Sequence, residues 1–166
     1  MKYIIILLFC LNLLLSPVFS MNVDGLEKLF KKGMSENFIY TKVPRGLIIS
    51  IDENFFFYDC KSEIKESSLY LLDKFADILN EIPNYCVIEN HSKDKLCSEN
   101  LESWELSSMR SANIAEYLIK YRDVPPQKIF DIGFGETMPF KDNVSATDKK
   151  LDNRIDFVLI EYEAKR

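Results

Sequence analysis

One arginine stands where a helix disfavours it. The stretch LESWELSSMRSANIAEYLIKY, Leu101 to Tyr121, has amphipathic spacing, and Arg110 falls in its first two turns. The helix dipole favours acids over bases there. A guanidinium so placed is a candidate hook for an anion, because it can hold a carboxylate by two parallel hydrogen bonds. The alternative is an ordinary surface arginine. The single histidine, His91, has no acid–base partner set and no G-x-S-x-G elbow beside it, so serine-type hydrolysis lacks support and a structural hydrogen bond at a strand end is expected instead. Cys86, His91 and Cys97 are poorly spaced for a metal: Cys86 and His91 point to opposite faces of an extended strand, and no C-x-x-C occurs. No cofactor motif is present, and a non-enzymatic protein is expected. Cys60 and Cys97 both fall in loops and could form a disulfide, or all three cysteines downstream of residue 20 stay free.

These residues sit in an acidic chain of 166 residues, enough for one domain. The first twenty, MKYIIILLFCLNLLLSPVFS, have a basic start at Lys2, an apolar run from Ile4 to Leu15, and small residues at Val18 and Ser20. That pattern predicts a secretory signal cut after Ser20. An uncleaved membrane anchor is the alternative, although the run is short of the roughly 20 residues that a span needs. Only Lys2 among the charged residues lies in this segment, so the acidic excess of five becomes six without it. No basic run or basic–aromatic interleaving appears, which argues against nucleic acid as a partner. Apolar content is ample for a packed core, which argues against disorder. Export to an oxidising compartment permits a disulfide.

The elements that must position Arg110 follow from periodicity. Residues 21–43 read as a polar lead-in with a helical turn or two. RGLIISI (residues 45–51) is β-branched and reads as a strand, and FFFY (55–58) as a second short extended piece. Between residues 64 and 82, Leu71, Leu72, Phe75, Ile78, Leu79 and Ile82 recur at three and four, giving an amphipathic helix that Pro83 stops. YCVIENH (85–91) is the next strand. Ser103 is the expected N-cap of the helix that carries Arg110, with Glu105 suiting its first turn. Ser107, Ser111, Ile114 and Leu118 share one face of that helix, and the two serines imply close approach to a sheet. KIFDIGFG is a strand ending in a glycine turn, ETMPFKDNVSATDKK a long loop, and NRIDFVLIEY a last strand with alternating apolar residues. The order β–α–β–α–β–loop–β predicts an α+β two-layer sandwich, a mixed sheet with two main helices on one face.

Six segments in this order resemble the OmpA-like peptidoglycan-binding domain, in the form found at the C-terminus of MotB flagellar stator proteins. RGLIISI is similar to its opening strand. FFFYDCKSEIKESSLYLLDKFADIL resembles the F-D-S-G-S-A-E-I-K-P-E-A segment and its helix, and IENHS stands in place of E-G-H-T-D. SWELSSMRSANIAEYL resembles N-W-E-L-S-x-x-R-A-x-x-V-x-x-Y-L, IGFGETMPFKDN resembles G-Y-G-E-x-x-P-x-x-x-N, and DNRIDFVL resembles K-N-R-R-V-E-I-V-I. The likeness spans about residues 44–162 and implies non-catalytic binding to the stem peptide of the cell wall in the periplasm. There Arg110 would hold the carboxylate of a diamino acid and a loop acid its ammonium. Read without gaps, the family's T-D becomes Ser92 and Lys93, with Asp94 one position late. Either Asp94 serves through a one-residue shift, with Ser92 beside it, or Lys93 has reversed that pole. In the second case the domain is a degenerate module for protein–protein contact within an envelope or flagellar assembly. Asn153 and Arg154 match a pair that implies either loop fixing or ligand contact. Asn90 and Cys60 replace family glycines at turns, where Asn tolerates left-handed backbone and Cys does so poorly. The apolar N-terminus contains no acid, unlike a proton-conducting stator helix.

Overall fold

The computed structural model describes residues 20–34, 38–93, 102–140 and 151–162. Five strands form one mixed sheet: β1 (Ile39–Val43), β2 (Gly46–Asp52), β3 (Tyr85–His91), β4 (Ile129–Gly135) and β5 (Arg154–Ile160), in spatial order β1-β2-β5-β3-β4. The last strand therefore lies in the middle, antiparallel to both β2 and β3, while β3 and β4 run parallel. Parallel neighbours need a crossover. Here it is α3 (Ser103–Arg122), which packs beside α2 (Leu69–Glu81). Among the described residues, no helix is long and apolar enough to cross a membrane.

Strand alternation builds the core. Ile155, Phe157 and Leu159 of β5 face Leu47, Ile49 and Ile51 of β2 and Cys86 and Ile88 of β3, and α2 covers them with Leu71, Leu72, Phe75 and Leu79. Phe75 stacks on Phe157 at 4.1 Å. The C-terminal carbonyls of the α2 region are capped across the fold: the Lys128 ammonium donates to the carbonyls of Leu79 and Ile82. Burial there lowers the Lys128 pKa.

The expected polar lead-in differs most. Residues 23–33 form helix α1 (Val23–Gly33), three turns long, whose cap Asn22 accepts a hydrogen bond from Gly25 N–H at 2.9 Å. Residues 39–43 form the edge strand β1. Leu26 and Phe30, four apart, bury one narrow stripe, and Phe30 reaches Phe75 at 5.3 Å between ring centroids. Val23, Leu26 and Phe30 recur at three and four and give this short helix an apolar stripe, which completes the core.

FFFY is not a strand. Glu53–Phe55 form a 3-10 turn capped by the Asp52 carboxylate, Phe56 and Phe57 drop into the core, and one bridge joins Phe57 to Ile64. Another 3-10 turn, Glu66–Ser68, precedes α2, which begins at Leu69 rather than at residue 64. The start of α3 differs by one residue. Glu102 is the N-cap and Ser103 the first helical residue, with the Glu105 carboxylate accepting from Glu102 N–H at 2.9 Å. The close helix–sheet approach is present: Ser107, Ser111, Ile114 and Leu118 are all buried. A Cβ on Gly133 of β4 would lie 2.3 Å from the Ser108 backbone nitrogen, so only glycine fits that contact.

Candidate ligand notch at the end of the sheet

Arg110 is drawn inward rather than to solvent. It lies two turns into α3 on the sheet-facing side and is 1% exposed. Nη1 sits 2.9 Å from Glu53 Oε2 and donates to Ser92 Oγ at 3.3 Å. Nε donates to the Lys61 carbonyl at 2.8 Å and Nη2 to the Tyr58 carbonyl at 3.2 Å. The Phe57 ring lies 5.2 Å from the guanidinium carbon. Arg110 thus joins the 58–62 loop, the end of β3 and the first turns of α3 at one point.

Glu53 completes this notch, and the sequence reading did not find it. Its carboxylate accepts from Asn90 Nδ2 at 3.0 Å and from Ser92 Oγ at 3.2 Å, and its own N–H donates to the Asn153 carbonyl at 3.1 Å. The available signal was an acid directly after a strand and ahead of three phenylalanines, a place where a solvent-facing acid is hard to arrange. Asn90 does not take up left-handed backbone; it lies in β3 at a register shift, and its amide also donates to the Arg154 carbonyl at 3.3 Å. Cys60 does take it, with φ of 57°.

Of the loop residues, Ser92 is fully buried in contact with Arg110 and Glu53, and its N–H donates to the Gly135 carbonyl at 3.0 Å. Lys93 turns back to the protein. Its N–H donates to Asn153 Oδ1 at 2.8 Å and its ammonium to Asp152 Oδ2 at 2.6 Å. Burial works to raise the Asp152 pKa, but Lys93 and the Phe140 N–H outweigh it and hold the carboxyl below the ordinary aspartate value. Asn153 therefore fixes the loop from both its carbonyl and its side chain. Asp94 and Cys97 lie outside the described residues. Cys60 is disulfide-bonded, and Cys86 is a free thiol in the core, its pKa pushed by burial to about 12.

Arg154 is not brought to the notch. On the sheet face away from the helices, its Nε donates to Asp156 Oδ2 at 2.9 Å and its Nη1 to the Leu151 carbonyl at 3.2 Å. His91 joins this second cluster, with Nε2 3.3 Å from Asp156 Oδ2 and 3.8 Å from Glu89 Oε2, and its ring stacked on Phe134 at 4.9 Å. Burial works to lower the His91 pKa, but the two carboxylates prevail and raise it. Glu89, His91 and Asp156 are close enough to share a cation, but guanidinium groups already occupy this place: Arg154 at Asp156 and Arg45 at Glu89, 3.0 Å away. Trp104, at the start of α3, is 54% exposed.

Residues 56–153 match the OmpA family, well over half of the chain and all of the notch except Glu53. The chain belongs to the OmpA family. Its sequence relatives in Bacillus subtilis include the uncharacterized protein YtxE, 26% identical over 117 residues, covering 69% of this chain and 48% of that one. They also include Motility protein B, 26% identical over 138 residues, covering 81% and 53%. The chain thus spans about half the length of these relatives. The same fold appears in the periplasmic domain of Helicobacter pylori MotB, at a TM-score of 0.67 and 18% identity, covering 77% of this chain and 84% of that one. It also appears in the cell wall anchor of the type VI secretion system (T6SS) from Pseudomonas aeruginosa, at 0.70 and 16%, covering 82% and 97%.

Proposed function

We propose that this chain is a non-catalytic envelope module that binds the stem peptide of peptidoglycan and tethers its carrier to the cell wall. The observation that carries this is the fixed guanidinium of Arg110, held where two loops and a helix start converge. Membership of the OmpA family and the shared fold with a T6SS cell wall anchor support it. In this reading Arg110 takes a carboxylate of the diamino acid, Ser92 orients the guanidinium, and Asp94 meets the ammonium. Asn153 holds the loop and Arg154 the strand behind it. Residues 1–20 act as export signal or anchor, and Cys60 pairs with Cys97 across the loops.

A second reading has its own observation. Arg110 already has a carboxylate partner in Glu53, and Lys93, at the usual acid position, is neutralised by Asp152. A notch so paired within itself suits a module that contacts other envelope or flagellar proteins and no longer takes the wall ligand.

Co-sedimentation with purified sacculi separates the two. The wall reading expects wild type to pellet and to bind a tripeptide with diaminopimelate at its third position better than one with lysine or ornithine. Arg110→Lys, checked for folding by circular dichroism, should lose about 1.5–3 kcal/mol of that binding, the worth of a charged hydrogen-bond partner. Wild type left in the supernatant, or folded Arg110→Lys pelleting equally, defeats it.

A further inference from the structure

A second cleft, of about 380 Å³, opens between α3 and the segment that leads into α2. Its apolar floor is Ile64 and Leu69; Tyr117 and Tyr121 form one wall, and Glu63 and Glu116 stand at the rim. Tyr117 is fixed by its hydroxyl, which donates to Asp73 Oδ1 at 2.8 Å. The ring of Tyr121, 69% exposed, lies 5.7 Å from that of Tyr117 at 33°, so the two make a bent aromatic face.

The cleft and the Arg110 notch lie along one stripe of α3. Arg110, Asn113, Tyr117 and Tyr121 follow one another at steps of three, four and four, a single stripe of the helix. The Asn113 amide donates to the Ser62 carbonyl at 2.7 Å, one residue beyond the carbonyl that receives Arg110 Nε. At 1.5 Å per residue, Tyr117 and Tyr121 stand about 10 and 16 Å along the axis from Arg110.

The lining selects its occupant. Two carboxylates at the rim repel anions, so the carboxylates of a stem peptide do not belong here. An apolar floor with a bent aromatic wall and hydrogen-bond acceptors at the edge fits a ring with one C–H face and donors around it. We propose that this cleft is a subsite for an N-acetylated sugar of the glycan strand, an inference that rests on the wall-binding reading. Reach agrees: a lactyl link and two residues separate the sugar from the third residue of the stem peptide, about 10 Å when extended.

The test is titration of the full chain with a peptide-free tetramer of N-acetylglucosamine, followed by NMR and calorimetry. Saturable binding is expected, with shifts confined to residues 61–69 and 113–121. Tyr121→Ala should weaken it at least tenfold, about 1.4 kcal/mol, while Trp104→Ala, an exposed aromatic at the far end of α3, leaves it unchanged. No saturable binding, equal binding by Tyr121→Ala, or loss with Trp104→Ala overturns the subsite. Sacculi that pellet the chain while the tetramer fails to bind would sink the subsite alone. A tetramer that binds while sacculi do not would sink the wall reading alone.

Discussion

Two buried arginines sit on opposite sides of one sheet, and their partners differ in kind. Arg110 reaches partners 18 to 57 residues away, on the 58–62 loop, the 3-10 turn at Glu53 and the end of β3. Arg154 bonds to residues 2, 3 and 16 positions away, all in its own strand and the preceding loop region. Arg110 is thus a tie between segments that chain connectivity does not hold together, whereas Arg154 steadies a segment that β5 already holds. The second cluster also contains an imidazole, His91, whose pKa the neighbouring carboxylates raise against burial, and the Arg110 notch holds no histidine. The first network fixes shape, and the second adds a proton-dependent part to stability.

The most severe test of this contrast is Arg110→Ala. It strands the Glu53 carboxylate in the interior, and a loss of about 3–5 kcal/mol in urea unfolding is expected. The double variant Arg110→Met/Glu53→Gln should recover much of it, and failure to recover would mean that the loop carbonyls matter more than the ion pair. Arg154→Ala should cost less, about 1–3 kcal/mol, because Asp156 keeps His91 nearby as a replacement partner. A cost equal to that of Arg110→Ala would erase the distinction.

The His91 cluster also predicts a pH dependence of known sign. Its folded pKa is raised above the ordinary 6.5, so the folded state binds the proton more tightly. That stability is fully present below the unfolded value and is lost as pH rises through the folded one. Unfolding midpoints should therefore fall on going from below pH 6.5 upward, and His91→Gln should flatten the slope; an unchanged slope would remove His91 from the account. The smallest effect belongs to Lys93→Ala, about 0–1 kcal/mol for a pair with one partly exposed member. The depressed Asp152 pKa makes that contribution present above the unfolded aspartate value and lost only in acid, so wild type and variant should converge as pH falls through it.

Much of this was legible in the sequence. The misplaced charge of Arg110, the alternation in β5, the three-and-four spacing of α2 and the two serines on α3 are local patterns, and each predicts its own burial. Glu53 was not legible as a partner, because an acid after a strand looks alike whether it meets water or a guanidinium 57 residues later. Leu26 and Phe30 do recur with Val23 at three and four, but so short a stripe does not say what it packs on until Phe75 lies across it. Arg154 stood beside Asn153 in sequence and was expected near the same site, but it opens β5 on the same face as Asp156, opposite Ile155, and the pleat sent it to the His91 cluster.

Taken alone, the order of residues determined the two main helices, most strands and the mixed two-layer class, and marked Arg110 as a candidate inward cation, because these follow from period, capping and charge within a short window. Only the folded chain decided that β5 lies at the centre, that β1 and α1 belong to the domain, and that Glu53 answers Arg110. Those depend on which distant segments meet, and long-range pairing is set by the closure of the whole core rather than by any stretch of it.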